Sequence, residues 1–589
     1  MIPKAEKQAV FKSFEPLEHA ALSLNYLTQM TDPALDFLPY GLTAPFCNPP
    51  FAEHNRIDDA ELVASWLEGI SCCREMLGTN KGADVEESLA NLLLKQGWDA
   101  DSGLRFPVRR AWSPDLDYCV IPEMAAVLSA LNRLCETMPG DKRADKRAAS
   151  LVAGLRAIVV ETKQRMAGSG VFEVEEPCCM FPGDVFVRGK GFVPGVATGF
   201  TDWMVRCCAL IAPLVRRHAI SGDKAALDLA TGLANTITSL SHSFTYRNEF
   251  SGHVHSALAT AVGLAYLGRL TGQDRYVAKA KGIYDFVRRS TSAFGWCPEY
   301  MQWQLMADER SPANAISALM QCAMELVDCG FPEYWDDVHR FWRNHLAQSQ
   351  LVDTGFLPKA GKAVDTDRRA YKGMAERLCG GFSGGTAPNS LALGRANAIC
   401  GTCSAVVPVG MLAAWRRSIE FSRGNLLVNF PVNCENEYAK VVVGYPNTGY
   451  VRIKLKKAAR VIVRVFSWMP SPHEGTIDGR PAGLERRDDQ VSFPACEPGS
   501  VLELRHELKM RRVMENVMGL DFFGLWRGPD MVDILPHGLG FRLYQRVEGA
   551  SLETPNPPSE NLAKGPIQPI IEPVNVKETR LNRRKAPRS

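Results

Sequence analysis

No run of about 20 apolar residues occurs in the chain, so a membrane-spanning helix is not expected. The N-terminal stretch MIPKAEKQAVFKSFEP lacks an apolar core and a small-residue cleavage site, which argues against a secretory signal peptide. Charge of one sign is also missing. A formal net charge of +3 is too small to point to nucleic acid. The basic residues are dispersed until Arg580, Arg583, Arg584, Lys585 and Arg588, a cluster that reads as a solvated end. A disulfide framework is absent too: the 17 cysteines are odd in number, and Cys72-Cys73, Cys178-Cys179 and Cys207-Cys208 sit in or beside apolar patterns. A reducing cytoplasm is the expected compartment. Hydrophobic content of 46% and charged content of 23% suit a globular protein with more than one core.

What is present is a repeat. Long apolar helical patterns alternate with short polar turns at Gly78-Thr79-Asn80, Pro139-Gly140-Asp141, Ser221-Gly222-Asp223, Thr271-Gly272-Gln273-Asp274 and Cys329-Gly330-Phe331-Pro332. The predicted hairpins cover about 58–96, 121–164, 199–240, 250–287 and 313–346, and a sixth starts near Ile399. In several, the first helix is apolar nearly all round and the second carries charge on one face. The first kind belongs in an inner ring and the second outside it. Six such pairs predict a closed (α/α)6 toroid over about 55–420, preceded by an N-terminal extension, 1–54.

After about Asn425 the hydrophobic period shortens to 2. Val451, Ile453 and Leu455 alternate with charged residues, Val461, Val463 and Val465 follow, and Val501-Leu502-Glu503-Leu504 comes after a further turn. This predicts a C-terminal antiparallel β-sandwich over 421–548, making the chain mainly α with a β domain. From Ser551 on, seven prolines and little apolar pattern predict an extended or disordered tail over 549–589.

Several strings add chemistry: Gly252-His253-Val254-His255-Ser256, Phe294-Gly295-Trp296-Cys297-Pro298-Glu299, Tyr334-Trp335-Asp336-Asp337-Val338 and the loop Gly380-Gly381-Phe382-Ser383-Gly384. With the strand Val461 to Trp468 and Trp526-Arg527-Gly528, their order resembles glycoside hydrolase family 127, known for β-L-arabinofuranosidases. The resemblance implies a zinc held by a Glu-x-Cys pair and a Cys-Cys pair, one cysteine of the latter being the nucleophile. Here the Glu-x-Cys position falls on Pro312-Ala313-Asn314. The Cys-Cys position falls on Cys400-Gly401-Thr402-Cys403, where only Cys403 matches and threonine takes the nucleophile position. Two thiols are too few for a four-coordinate zinc site, so no metal or other cofactor is expected. The CxxC spacing of Cys400 and Cys403 otherwise suits buried thiols, a metal or a redox pair.

The catalytic candidates are then Cys403, the one thiol that matches, and a set of carboxylates. Glu299 lies in a tryptophan-rich loop where the resemblance implies an acid/base residue, and burial beside Trp296 and Trp303 would keep its proton on. Asp308 or Glu309, before the fifth inner helix, would supply the second carboxylate. His253 matches a substrate contact implied by the resemblance. His255, His54, Asp58, Asp59 and Trp303 are further sugar-binding candidates, with Trp112 and Trp203 as further stacking platforms. Because His253 and His255 are two residues apart, their rings are not expected to share a helical face. Three readings stand: an exo-acting glycoside hydrolase taking furanosides among its substrates, a sugar epimerase or isomerase using a histidine for proton transfer, and a carbohydrate-binding descendant without turnover. All three take carbohydrate, none takes nucleic acid, and a homo-oligomer stays open.

Overall fold

The computed structural model describes residues 10–55, 59–114, 117–167, 170–193, 202–302, 310–355, 357, 359, 361–392, 398–538, 541–546 and 567–568. Asp58, Trp303, Asp308, Glu309, the Asp59 side chain and nearly all of the tail after 549 lie outside the described residues.

The helices follow the predicted turns. α1 (Pro16–Gln29) precedes the first pair, α2 (Asp59–Leu77) and α3 (Ala83–Lys95). The second pair is α4 (Glu123–Thr137) and α5 (Lys142–Ile158). The third runs from α6 (Trp203–Cys207) through α7 (Ile211–Ser221) to α8 (Lys224–Asn235). Then come α9 (Val254–Thr271) with α10 (Asp274–Arg289), and α11 (Ala313–Asp328) with α12 (Trp335–Phe341). After a short α13 (Met374–Leu378), α14 (Gly401–Ser418) ends the helical region. Local chemistry sets the breaks. Gly222 and Gly272 close α7 and α9 in the left-handed conformation, and the Asp223 carboxylate accepts the Ala226 N–H at the start of α8.

Helices α2, α4, α7, α9, α11 and α14 each pack on the next, and α14 packs back on α2, so the inner ring is closed. α9 is buried on most of its surface, whereas α10 buries only the face carrying Tyr276, Ala280, Ile283, Tyr284 and Val287. Small residues let neighbours approach. A Cβ on Gly69 of α2 would stand 2.5 Å from the Ala405 carbonyl of α14, and one on Gly263 of α9 would stand 2.7 Å from Ile211 Cβ of α7.

Three details depart from the sequence reading. Among the described residues no helix follows α14, because the chain passes directly into the strand Ile419–Ser422. The outer partner of α14 is α1, which packs on both α14 and α2, so the segment assigned to an N-terminal extension completes the ring. The second pair ends at Ile158, and Val160–Ala167 and Gly170–Met180 form a β-hairpin instead of more helix.

The C-terminal region is built of sheets. A five-stranded sheet has the order Ile419–Ser422, Asn425–Val428, Ala459–Arg464, Gln490–Cys496, Glu485–Arg487. A six-stranded sheet centres on Tyr450–Leu455 and Val501–Arg505, and a third sheet holds Met510–Val517, Leu520–Arg527 and Asp530–Leu535. Tyr450–Leu455 buries Val451, Ile453 and Leu455 and exposes Arg452 and Lys454, as the period of 2 requires. The pairing is not wholly antiparallel: Asn425–Val428 runs parallel to Ala459–Arg464.

The ring seam yields a test. Overpacking a buried contact costs about 1–3 kcal/mol, more than the roughly 1 kcal/mol by which alanine outranks glycine in a helix. Gly69→Ala should therefore lower the denaturation midpoint. Gly140→Ala, with no atom within 4 Å of the added methyl, should stay within about 0.5 kcal/mol of the parent. Equal midpoints for both variants would mean that the seam is loose.

Candidate functional site

Residues at or just before the N-termini of the inner helices meet around one mouth. Before α2, His54 stacks between Tyr40 and Trp112, the latter from the segment leading to α4. Ile121, also before α4, bonds to Asp184, whose carboxylate pairs with Arg206 of α6 at 2.6 Å. Arg206 in turn acts electrostatically on His253, before α9. The Val254 N–H donates to the Glu299 carbonyl, and the Glu299 N–H to that of Arg310, before α11. At α14, Gly401 leaves no room for a Cβ, which would stand 2.6 Å from the Gly41 carbonyl of the N-terminal segment.

Glu299 and His253 share this mouth. A two-residue ladder pairs His253 with Tyr300, their rings 5.3 Å apart. The Glu299 carboxylate forms an ion pair with Arg310 and is 13% exposed. A guanidinium partner favours the ionised carboxylate, so this arrangement differs from the proton-holding acid expected from the sequence. Trp296 does not create the apolar wall foreseen there: it is fully buried, and its Nε1 donates to the Thr386 carbonyl at 3.1 Å.

The two histidine rings lie 5.8 Å apart, edge to face, although helical spacing argued against a shared face. The reason is local. His253 is the N-cap, with extended φ −73 and ψ 117, so only His255 lies within the helix. Both rings are half-buried. Desolvation, then His255, Arg206 and Arg310, bring the His253 pKa down to about 3. Desolvation alone brings His255 down to about 4. Both are neutral at physiological pH, and His253 Nδ1 lies 2.9 Å from Ser256 Oγ.

Cys400 stands at the N-cap of α14 and Cys403 lies three residues inside. Cys400 is half-buried and its pKa falls to about 7. The Cys403 thiol is the main cause, burial opposes it, and the amides of Cys403 and Thr402 with the Thr402 hydroxyl assist. Cys403 is 3% exposed and its pKa is pushed well up, first by Cys400 and then by burial. The Asn314 N–H, in the first turn of α11, bonds to Cys403. Asn314 Oδ1 has no hydrogen-bond partner, and the buried Tyr26 hydroxyl interacts with Ser404 as well as with the two thiols.

This donor set does not fit zinc. The first-turn position of α11 offers a proline and an amide, and Glu299 is held by Arg310. Among the described residues no group of three or more His, Cys, Asp or Glu side chains is placed to hold a metal ion.

The other candidates separate from the group. His54 is 1% exposed, bonds to the Pro39 carbonyl and Asp32 carboxylate at 3.0 and 3.3 Å, and has a pKa lowered by burial. It is built into an aromatic stack and lines a small pocket with Arg110 and Trp112. Trp203 Nε1 donates to the Phe181 carbonyl. Arg310, Tyr300 and Arg206 were not singled out from the sequence. Arg310 carries the same signal as Asp308 and Glu309, a charge just before an inner helix.

No protein-family profile and no curated relative matches the sequence. Solved structures do. A GH127 β-L-arabinofuranosidase from Geobacillus stearothermophilus T6 superposes over 90% of this chain and 80% of its own, with a TM-score of 0.55 at 13% identity. The chain shares the GH127 fold. A second GH127 β-arabinofuranosidase covers 87% of this chain and 80% of its own, with a TM-score of 0.54 at 14% identity. A structure described as a glycoside hydrolase gives 0.55 at 12% identity, over 88% of this chain and 81% of its own. At such identities the likeness establishes the fold, and the residues of this chain must supply the chemistry.

Two outcomes are expected. Zinc should be well below one ion per chain by elemental analysis of the purified protein; a full ion lost in Cys403→Ser would overturn the donor argument. The pH dependence follows from the buried histidines, to which His345, lowered to about 3, and His19, lowered to about 4, also belong. Their folded values lie below the unfolded value near 6.5. The unfolded chain therefore binds more protons below about pH 6.5, and stability, full above that pH, falls as pH drops towards 4. Denaturant midpoints should already decline between about pH 6.5 and 5, above most carboxylate titration. A flat profile there would contradict neutral burial of these rings.

Proposed function

We propose that this protein is a glycoside hydrolase whose working groups are a carboxylate and neutral histidines at the mouth of the ring, without a zinc–thiolate centre. The observation that carries the reading is the meeting of Glu299, Arg310, Tyr300 and His253 where α9 and α11 begin, in a fold shared with GH127 glycosidases. Hydrolysis of a glycosidic bond needs one carboxyl group to donate a proton and a second to activate water or attack. Glu299, charged beside Arg310, suits the base or nucleophile role. Asp308 and Glu309 follow on the same loop and are the candidates for the acid. His253, neutral and fixed by Ser256, suits a hydrogen bond to a sugar hydroxyl.

Exo-action, furanoside substrates and a reducing cytoplasm belong to the same proposal. The last is supported by 17 free cysteines. Two sheets with alternately buried strands support the β-sandwich reading of the C-terminal region. The described helices include none long and apolar enough to cross a membrane.

One observation favours a second reading. Two adjacent histidines that stay neutral are suited to accept a proton, which an epimerase or isomerase needs. Product analysis separates the two, since hydrolysis adds water and epimerisation conserves mass.

A panel of nitrophenyl glycosides and oligosaccharides, furanosides included, tests the assignment. On the substrate found, Glu299→Gln should lower kcat by roughly 100-fold or more. The denaturation midpoint should change little, because the carboxylate is partnered at the surface of the mouth. Full activity in Glu299→Gln would remove it from the mechanism. An unchanged KM in His253→Ala would remove that residue from substrate binding.

A further inference from the structure

The proposed hydrolysis does not use the two thiols at the start of α14. From their geometry we infer that Cys400 and Cys403 form a peroxide-reactive dithiol that closes reversibly to an intramolecular disulfide. Three observations carry this. The two thiols sit on the N-cap and in the first turn of one helix, three residues apart, and both are free. Their exposure is graded: Cys400 is reachable, whereas Cys403 is 3% exposed. An attacking thiol and a sheltered resolving thiol require that order. Cys400 stands at the positive end of α14, where the helix N-terminus favours a thiolate in reach of a peroxide.

The other cysteines lack this combination. Those with a resolved shift are all raised, burial being the largest cause, as at Cys72, Cys207, Cys297 and Cys322; the half-buried Cys47 and Cys496 are far from Cys400 in sequence, and the Cys496 thiol donates to the Pro494 carbonyl.

The chemistry balances with a hydroperoxide as oxidant. The Cys400 thiolate attacks one peroxide oxygen and the O–O bond breaks. The other oxygen leaves as hydroxide and takes a proton, giving water and a sulfenic acid on Cys400. The Cys403 sulfur then attacks the Cys400 sulfur, the S–O bond breaks, and the Cys403 proton leaves with the hydroxide as a second water. The two sulfurs together lose two electrons, and the peroxide gains them. A dithiol reductant reverses the bridge by exchange.

The test uses the intact, pre-reduced protein treated with stoichiometric hydrogen peroxide, labelled with N-ethylmaleimide and mapped by peptide mass spectrometry. The peptide holding both cysteines should emerge unlabelled and two hydrogens lighter, and should accept two labels after dithiothreitol. Its loss of labelling should be about tenfold faster than that of Cys47 or Cys496, as expected for an accessible thiolate. In Cys403→Ser, Cys400 should accumulate as a sulfenic acid captured by dimedone. The inference is overturned if both thiols remain labelled, or if Cys400 passes to sulfinic acid in the parent without a bridge. It is also overturned if Cys47 or Cys496 reacts first. Mapping in the parent decides the matter even if Cys403→Ser fails to fold.

Discussion

The closure of α14 onto α2 is the constraint on which the rest depends. These helices are more than 300 residues apart in sequence, yet Gly69 admits the Ala405 backbone to within van der Waals contact. Once the first and last inner helices touch, the order of the ring is fixed and the segments leading into them meet at one mouth. Hence the Gly41 loop, the His253 N-cap, the Glu299–Arg310 loop and the Cys400 N-cap become neighbours. α1 seals the same seam from outside, packing on both helices, and its Tyr26 reaches the thiols.

The C-terminal sheets are fastened to the ring, and part of the fastening reaches the mouth. Arg343, in the turn after α12, makes a two-pronged pair with Asp530 at 3.0 Å on each side, and both are 0% exposed. Arg546 binds the same carboxylate, while Asn344 bonds to the Pro529 carbonyl and Met531 N–H. An isolated charge there would be costly, so all three partners must be placed together, which specifies one docking arrangement more than it adds net stability. From the same region Phe541 accepts the Leu391 N–H, and Pro536 accepts the Asn389 amide. Those loop residues lie just beyond Thr386, which pairs with Ser311 before α11. The sheets thus brace a loop that supports the site.

Legibility in the sequence followed the range of the interactions. Helix pairs, their turns and the switch to period 2 are local, and Gly222, Gly272 and the alternation in Tyr450–Leu455 stand where the pattern put them. The role of α1 was hidden because it depends on contacts with α14 nearly 400 residues on. The β-hairpin after α5 was hidden because its sequence, Val160–Ala167, carries no clear alternation. At the site, position along the chain indicated Glu299 and His253 but not their surroundings. The Arg310 partner of Glu299 and the Tyr300 partner of His253 follow from how the loop before α11 folds back on the N-cap of α9, across a ladder between residues about fifty apart.

One electrostatic circumstance connects the groups at the mouth. Inner helices turn their positive N-terminal ends there, and Arg206 and Arg310 add formal positive charge. Such a field opposes another cation, which accords with His253 and His255 remaining neutral. It favours anions, which accords with a carboxylate paired at Glu299 and a Cys400 thiol that ionises near neutrality. The zinc that the sequence resemblance implied would add two positive charges to such a region and would need thiolates and a glutamate to offset them. Here Pro312 and Asn314 remove two of those donors, and a field made of amides and guanidinium groups stands in their place. That field requires no metal to hold a negative charge, whether on the carboxylate, the thiol or a reacting oxygen.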